Sequence, residues 1–352
     1  VHVPAELWAE SVHGKGGLSC TDCHQDLATA ELPHAEKLAK VDCSPCHAEA
    51  VEVNAKSAHV TVAKLECTSC HNPHAARHKD EPVANTSHER VANLCLRCHG
   101  GHGPGPSTPA AFRDGIHGKT LQGENQGSAP TCVTCHGTHG AFKKSDPQSA
   151  VFRNKIPELC GSCHSDVAES YGKGTHGALM HKGDERAPVC TDCHSAHQNL
   201  DTRLPAWRLR AVEQCGTCHE KILATYRATY HGKITDLGFT TVATCADCHG
   251  AHEILGRDKP GNKLTGEGRV ETCRKCHPTA TASFAKWDPH ADPESPKRSL
   301  LVYLVTTSMK GLLAFVFTFF GVHTLLWLPR SYKARKEHEA HRKASKDEEG
   351  KP

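Results

Sequence analysis

The sequence predicts a mostly irregular chain with short α-helices packed around covalently attached groups, and one transmembrane helix at its C-terminal end. Three observations lead to this fold class. The pattern Cys-x-x-Cys-His occurs ten times and uses all 20 cysteines. Only 37% of the 352 residues are hydrophobic and 5% are aromatic, so ordinary side chains supply too little apolar surface for a core. A long uncharged run lies near the end of the chain.

Each Cys-x-x-Cys-His segment has the spacing of a covalent haem site. Two thiols one helical turn apart can add to the two vinyl groups of a haem, and the adjacent histidine becomes the proximal iron ligand. Zinc sites and disulfide frameworks also use paired cysteines, but neither explains a histidine at one fixed offset ten times over. We therefore predict ten haem c groups, which form most of the core. The attachment cysteines are Cys20, Cys23, Cys43, Cys46, Cys67, Cys70, Cys95, Cys98, Cys132, Cys135, Cys160, Cys163, Cys190, Cys193, Cys215, Cys218, Cys245, Cys248, Cys273 and Cys276. The proximal histidines are His24, His47, His71, His99, His136, His164, His194, His219, His249 and His277.

Short helices that begin at the motifs are the expected regular structure. The motifs lie between Cys20 and His277, which leaves about 26 residues for each haem and little room for long elements. We expect loops rich in glycine and proline between these helices.

The charge balance argues against nucleic acid as a partner. The formal net charge is +3 with histidine neutral, but each haem adds two propionates against about one positive charge on its iron, so we expect the loaded protein to be acidic. Thioether attachment takes place on the outer side of the bacterial inner membrane, which predicts a periplasmic haem domain. Residues 1–8 lack a basic start and an apolar stretch, and we expect them to follow a removed signal peptide.

The residues around the motifs alternate between two types, so the repeat unit is a pair of haems. Motifs of the first type follow an isolated histidine, often in a His-Gly pair, and four of these five motifs have a second histidine three residues after the proximal one. Motifs of the second type have an apolar or acidic lead-in and need a sixth ligand from elsewhere in the chain. We therefore expect five dihaem repeats.

The flanking histidines supply a sixth ligand for every iron. The simplest allocation gives the upstream histidine to the first haem of each pair and the downstream histidine to the second haem. In the first pair Leu27 takes the place of the downstream histidine, and His34 is assigned to the motif at Cys43 instead. The predicted distal ligands are His13, His34, His59, His74, His117, His139, His176, His197, His231 and His252.

Other side chains are weaker candidates for the sixth coordination position of a haem iron. The chain has only two methionines, Met180 and Met309, and the second lies in the apolar segment. Ligation by two histidines also implies lower reduction potentials than ligation by histidine and methionine. Among the surplus histidines, His102 repeats the offset of His74, and His290 lies in Trp-Asp-Pro-His beside the membrane segment, so that either can replace a member of the set. The surplus histidines are His2, His78, His88, His102, His181 and His290.

A candidate transmembrane helix follows the last motif. The thirty residues from Ser299 to Leu328 span about 45 Å as a helix, more than the apolar core of a bilayer, so Lys310 can extend to the interface. A basic tail follows Pro329 and places the C-terminus in the cytoplasm by the positive-inside tendency; it includes Arg330, Lys333, Arg335, Lys336, Arg342 and Lys343. The expected division, in the inner membrane, is a periplasmic decahaem domain at 1–298, a transmembrane helix at 299–329 and a basic cytoplasmic tail at 330–352.

His323 lies inside this segment, about one turn from its cytoplasmic end. Ionisable residues at such depth tend to face protein rather than lipid. Two interpretations stay open: an interfacial histidine that hydrogen-bonds to a neighbouring helix, or a group that contacts a haem b or a quinone of a membrane partner.

By these motifs the chain resembles multihaem c-type cytochromes of the broad cytochrome c3 and NapC/NrfH-like grouping. Its end is similar to the junction between c-type and b-type parts in Cbc-type menaquinol oxidoreductases. The resemblance implies an integral membrane cytochrome b, or another quinone-reactive subunit, as a separate partner, with soluble periplasmic cytochromes or reductases on the other side. The similar segments are Pro289-His290-Ala291-Asp292-Pro293 and Gly321-Val322-His323-Thr324-Leu325-Leu326-Trp327-Leu328-Pro329-Arg330.

These expectations together describe a membrane-anchored chain that conducts electrons between a quinol-oxidising membrane partner and periplasmic acceptors. The sequence is compatible with either direction of flow. With two protein ligands on every iron no position is free for a substrate, so we predict no catalytic residue and no enzyme activity of the chain by itself. The alternative is a reductase with one open haem that acts on a small nitrogen or sulfur oxyanion, but no Cys-x-x-Cys-Lys variant marks such a haem. A quinol dehydrogenase that acts alone, similar to NapC or NrfH, carries its helix at the N-terminus.

The purified protein should contain ten haems per chain, held through denaturation because thioether bonds are covalent. Haem absorbance measured against protein amount should give this ratio, and replacing both Cys20 and Cys23 by serine should lower it to nine. A denatured chain that lacks bound haem and instead releases zinc, or carries disulfides, would contradict the prediction.

Overall fold

The computed structural model describes residues 3–30, 38–101 and 108–349. Over these ranges the chain forms short helices and irregular loops and contains no strand, which confirms the predicted fold class. The α-helices are α1 (Ala5–Ala9), α2 (Val12–Lys15), α3 (Cys20–Cys23), α4 (Ser44–Lys56), α5 (Ala58–Thr61), α6 (Val91–His99), α7 (Ile116–Leu121), α8 (Cys132–His136), α9 (Ile156–Gly161), α10 (Ser165–Lys173), α11 (Thr175–His181), α12 (Cys190–His194), α13 (Pro205–Cys218), α14 (Glu220–Arg227), α15 (Tyr230–Asp236), α16 (Cys245–His249), α17 (Gly266–Arg274) and α18 (Leu300–Glu349). Short 3-10 helices lie at Gln25–Thr29, Cys67–Ser69, Pro73–Ala75, Pro109–Asp114, Gln126–Ser128, Arg153–Lys155 and Phe284–Lys286.

Motifs of the first type begin a helical turn because each carries its own N-terminal cap. The residue just before the second cysteine is Asp, Ser or Thr in all five, and its side chain accepts a hydrogen bond from the backbone N–H of the residue before the motif. This bond closes the turn that brings the two thiols together. The bonds run from Ser19 N to Asp22 Oδ2 (2.6 Å), Glu66 N to Ser69 Oγ (3.2 Å), Thr131 N to Thr134 Oγ1 (3.0 Å), Val189 N to Asp192 Oδ2 (2.7 Å) and Thr244 N to Asp247 Oδ2 (2.7 Å).

Most motifs of the second type lie instead at the end of a helix. The motifs at Cys95, Cys160, Cys215 and Cys273 fall in the last turns of α6, α9, α13 and α17 or directly after them. The motif at Cys43 differs, since Cys43 is the N-cap of the 13-residue helix α4 and the rest of the motif forms its first turn. The apolar or acidic lead-in of the second type is thus the preceding part of the same helix.

The His-Gly pairs mark a second kind of short helix. In α2, α7, α11 and α15 the glycine packs against the backbone carbonyl of the residue six positions earlier, so closely that any Cβ would collide with it. Only glycine permits this approach. The glycine and carbonyl residues are Gly14 with Trp8, Gly118 with Phe112, Gly177 with Tyr171, and Gly232 with Tyr226.

The chain divides into two compact units. The first comprises Val1–His219 and Gly238–Ala285 and holds all ten motifs; the second comprises Glu220–Leu237 and Lys286–Pro352. Apolar clusters in the first unit are small: one contains Ile156, Tyr171, Met180, Ala187 and Val189, and another contains Ala92, Leu121 and Ala129. Met180 is therefore a packing residue.

The C-terminal helix α18 is a 50-residue element that continues through Pro329 into the basic tail. By length and composition its Leu300–Lys343 part can cross a membrane, and its apolar side chains are exposed along the span. Lys310 reaches back along the chain, and its Nζ lies 3.5 Å from Glu294 Oε1. That direction is the one expected for a lysine at a membrane interface.

Replacing Gly177 by alanine should destabilise the protein by about 1–3 kcal/mol, because the added Cβ collides with the Tyr171 carbonyl. Gly172→Ala is the matched control: the position lies inside α10, the nearest atom is His181 Nε2 at 3.8 Å, and alanine favours a helix. Thermal unfolding followed by circular dichroism should show a lower midpoint for Gly177→Ala alone. Equal midpoints for both variants would show that the close approach has no energetic role.

Candidate haem-binding sites

The structure arranges histidine rings in pairs with nearly constant separation. Within the first unit, eight proximal histidines each face one further histidine, with ring centroids 6.0–6.2 Å apart. Both histidines of each pair come from distant parts of the sequence. The pairs, proximal residue first, are His24 with His74, His47 with His13, His71 with His139, His99 with His59, His136 with His197, His164 with His117, His194 with His252, and His219 with His176.

This separation fits a metal ion held between two imidazoles. A bond from a metal to an imidazole nitrogen is about 2 Å long, and the ring centre lies about 1 Å beyond that nitrogen. Two imidazoles on opposite sides of one iron therefore have centroids about 6 Å apart. Together with two free thiols beside each proximal histidine, the donor set fits a covalently attached haem with two axial histidines.

The hydrogen bond made by the His13 ring leaves its Nε2 atom available to bind an iron. Its Nδ1 lies 3.0 Å from the Pro73 carbonyl oxygen, and since a carbonyl only accepts, Nδ1 carries the proton and Nε2 keeps its lone pair. His88, one of the surplus histidines, shows the opposite arrangement: its Nε2 lies 3.1 Å from the Gln126 carbonyl oxygen and must donate to it. This bond occupies the nitrogen that His13 leaves available.

Burial keeps several of these imidazoles neutral, which is the form that binds a metal. Burial, with a smaller contribution from the facing His252, lowers the pKa of His194 to about 4. The indole of Trp207 stacks on the His194 ring with centroids 4.5 Å apart and planes 7° apart, and so fixes its orientation. Burial also lowers the pKa of His71, His117, His136, His176 and His252.

Upstream and downstream histidines are held together by a backbone hydrogen bond that recurs four times. The residue before the upstream histidine donates its N–H to the carbonyl of the residue two positions after a downstream histidine in the next repeat. We call the two histidines joined in this way a distal couple. The bonds run from Val12 N to Ala76 O (2.7 Å), Ala58 N to Ala141 O (3.0 Å), Ile116 N to Asn199 O (2.6 Å) and Thr175 N to Ile254 O (2.8 Å). The couples are His13 with His74, His59 with His139, His117 with His197, and His176 with His252.

Each distal couple faces both motifs of one dihaem pair, and this corrects the expected allocation. We expected the upstream histidine to serve the first haem of its pair, but His13 faces His47 of the second motif, while His74 faces His24 of the first. The physical reason is the backbone bond, which docks the upstream histidine onto the following repeat and so moves it away from its own motif. His13 thus takes the position at Cys43 that we assigned to His34, a residue outside the described ranges.

The remaining predicted ligands lie near the end of the motif series. His249 ends α16, and His277 follows α17 with its ring centroid 5.1 Å from that of Phe284. His231, in the second unit, has its ring centroid 5.9 Å from that of Trp287. The set of distal ligands as a whole stays a prediction.

Sequence reasoning missed the groups that position these histidines. An aromatic residue stands five positions before the upstream histidine in four repeats, and its carbonyl contacts the glycine. These residues are Trp8, Phe112, Tyr171 and Tyr226. The fixed five-residue offset is a signal that the sequence carries, whereas the stacking of Trp207 on His194 has no comparable signal.

Comparison with known proteins agrees with these sites. The family model of the doubled CXXCH motif matches residues 59–103 and 125–169, each of which contains one dihaem pair. The chain is 28% identical over 192 residues to the multiheme cytochrome MtrA of Shewanella baltica (strain OS185), which covers 54% of this chain and 49% of that protein. The chain therefore spans about half the length of the curated relative it matches. No solved structure matches it. The paired motifs and this similarity support a multihaem c-type cytochrome.

Proposed function

We propose that this chain is a membrane-anchored periplasmic conductor that passes electrons along ten haems between a quinone-reactive membrane partner and soluble periplasmic acceptors. The observation that carries the proposal is the proximity of every motif to the next one in the sequence. Consecutive motifs lie side by side throughout the first unit, so haems attached to them are neighbours in chain order. A continuous series of neighbouring redox centres is what conduction requires.

Two kinds of junction alternate along this series. Between dihaem pairs, the first cysteines of adjacent motifs lie beside each other; within a pair, the second cysteine of the first motif lies beside a cysteine of the second. The junctions between pairs are Cys43 with Cys67, Cys95 with Cys132, Cys160 with Cys190, and Cys215 with Cys245. Those within pairs are Cys23 with Cys43, Cys70 with Cys95, Cys135 with Cys163, Cys193 with Cys215, and Cys248 with Cys273.

Arginine side chains reinforce two junctions between pairs. Arg153 lies 2.8 Å from Asp192, and Arg208 lies 2.7 Å from Asp247. Each aspartate is the one that caps the following motif, so a single carboxylate both closes a motif and joins it to the preceding helix. Half-exposed ion pairs contribute modestly to stability, but here they fix the relative position of neighbouring sites.

The residues of the chain hold and insulate the redox groups rather than react with a substrate. When bound, haem supplies a one-electron couple at each motif. The facing imidazoles would hold the iron from both sides, the hydrogen bond from His13 Nδ1 to the Pro73 carbonyl would set the orientation of that ring, and burial would limit access of water.

Membrane anchoring is supported by the exposed apolar surface of α18. The proposed division is a periplasmic decahaem domain at 1–298, a span at 299–329 and a cytoplasmic tail at 330–352, in the inner membrane with the basic residues inside. The side chain of His323 is exposed on the span, where a partner helix, a haem b or a quinone of a Cbc-like membrane subunit can meet it.

The ferric protein should be low-spin throughout, and one variant should open a single defined site. His252→Ala removes the ring that faces His194, so a high-spin ferric signal from about one tenth of the haem should appear by electron paramagnetic resonance, and the reduced variant should bind carbon monoxide. His181→Ala, outside the pairs, should stay low-spin. A high-spin fraction in the unaltered protein would favour the reductase alternative.

Detergent extraction should yield the chain together with a membrane subunit that contains haem b. Alkaline carbonate should fail to release the chain from membranes. Replacing Phe315 and Phe317 by lysine should weaken retention, since each lysine at mid-span costs about 3 kcal/mol. Tyr332→Lys, outside the uncharged run, is the control. Release of the unaltered chain by carbonate would refute anchoring, and a purified complex without haem b or another integral subunit would refute the partner.

A further inference from the structure

We propose that Trp207 is a positioning residue that sets the plane of the His194 imidazole and thereby the electronic character of the haem attached at the motif of Cys190. The inference rests on the proposed function, which places two axial histidines on this haem iron. His194 is the proximal histidine of the motif, and His252 faces it with ring centroids 6.0 Å apart. These residues all belong to the first compact unit.

The indole of Trp207 lies against one face of the His194 ring. The ring centroids are 4.5 Å apart and the planes differ by 7°, so the two flat side chains form a parallel stack. A metal bound by an imidazole nitrogen lies in the plane of the ring, at its edge, so a partner on the face leaves the ligating edge open. Rotation of the imidazole about its bond to Cβ would drive one edge of the ring into the indole. The stack therefore resists this rotation.

Trp207 is itself held in place by the helix that carries it, α13. The next residue, Arg208, joins this helix to the chain around the following motif. Its Nε donates to the Thr240 carbonyl oxygen at 2.9 Å, and its Nη2 lies 2.7 Å from Asp247 Oδ2. The indole is thus presented to the imidazole from a support that does not depend on the stack.

Arg210 gives the same helix a second contact with the chain that follows His194. It lies three positions after Trp207, and so on the same side of α13. Its Nη1 donates to Gln198 Oε1 over 3.3 Å. This bond holds the segment after the motif and leaves the imidazole ring untouched, so the placement of the helix and the ring stack can be tested separately.

The separation of two facing rings does not determine the angle between their planes. The eight pairs all have centroids 6.0–6.2 Å apart, yet their planes differ by angles from 15° to 70°. His194 and His252 are nearly parallel at 17°, whereas His13 and His47 are at 70°. Each angle is therefore set by what touches the rings, and at His194 the stacked indole of Trp207 supplies this constraint.

The angle matters because an imidazole donates electrons to iron through the π orbital perpendicular to its ring plane. Two parallel rings donate into the same iron d orbital and separate its energy from that of the second orbital, whereas perpendicular rings raise both orbitals equally. Ferric iron with separated orbitals gives a rhombic electron paramagnetic resonance spectrum, and iron with equal orbitals gives a spectrum dominated by one large g value. The 17° angle predicts the rhombic class for the haem at Cys190, and the 70° angle predicts the large-g class for the haem at Cys43.

The test compares the ferric spectra of variants at position 207 in the full-length, haem-loaded protein. Trp207→Leu removes the flat partner and keeps an apolar side chain, so all haems should stay bound and low-spin while about one tenth of the total intensity moves from the rhombic to the large-g class. Trp207→Phe restores an aromatic face and should give the spectrum of the unaltered protein. Unchanged rhombic intensity in Trp207→Leu, or equal shifts in both variants, would overturn the proposal.

Arg210→Leu is the matched control, because it removes the bond to Gln198 and leaves the indole. Its spectrum should match that of the unaltered protein, and a shift as large as that of Trp207→Leu would show that the placement of α13 orients the ring. A high-spin signal in Trp207→Leu would also overturn the proposal, since the ligand would then be lost rather than turned. A high-spin fraction in the unaltered protein would instead count against the proposed function, so the two failures are distinguishable.

A glutamine variant covers the case in which Trp207→Leu fails to mature. Trp207→Gln places a good helix former at this half-buried position of α13 and supplies no aromatic face. It should show the same shift of about one tenth of the intensity out of the rhombic class. A spectrum identical to that of the unaltered protein would overturn the proposal.

Discussion

The requirement that two imidazoles face each other across one iron organises this protein. A motif supplies its proximal histidine locally, but the facing histidine comes from a distant segment of the sequence, as in the pairing of His47 with His13. Each such pair ties two distant segments together at a fixed separation. In the described ranges, which contain no strand, long-range order therefore comes from these facing histidines and from the backbone bonds that align them.

The small apolar clusters fit this organisation. The cluster of Ile156, Tyr171, Met180 and Val189 packs against Cys160 and Cys190, directly behind one junction between dihaem pairs. Ala92, Leu121 and Ala129 pack beside Cys132 in the same way. The scarce apolar side chains support the places where neighbouring motifs meet, and the haems supply the rest of the buried apolar surface.

Sequence reasoning recovers the features encoded by short-range patterns. The motif spacing, the alternation of two motif types and the apolar C-terminal segment are all local, and the structure has the predicted helices at those positions. The pairing of distal histidines is not local: His13 stands seven residues before Cys20, yet the bond from Val12 to Ala76 carries it to the next motif. Proximity along the chain therefore suggested the wrong partner.

The distal couples impose an order on maturation. Because each of the four couples joins a helix to a segment of the following repeat, a dihaem pair of this kind acquires both facing histidines only when the next repeat is present. During synthesis from the N-terminus, closure of such a pair therefore lags by one repeat. A chain that stops between two of these pairs lacks the downstream histidine of the last one made and leaves that position open.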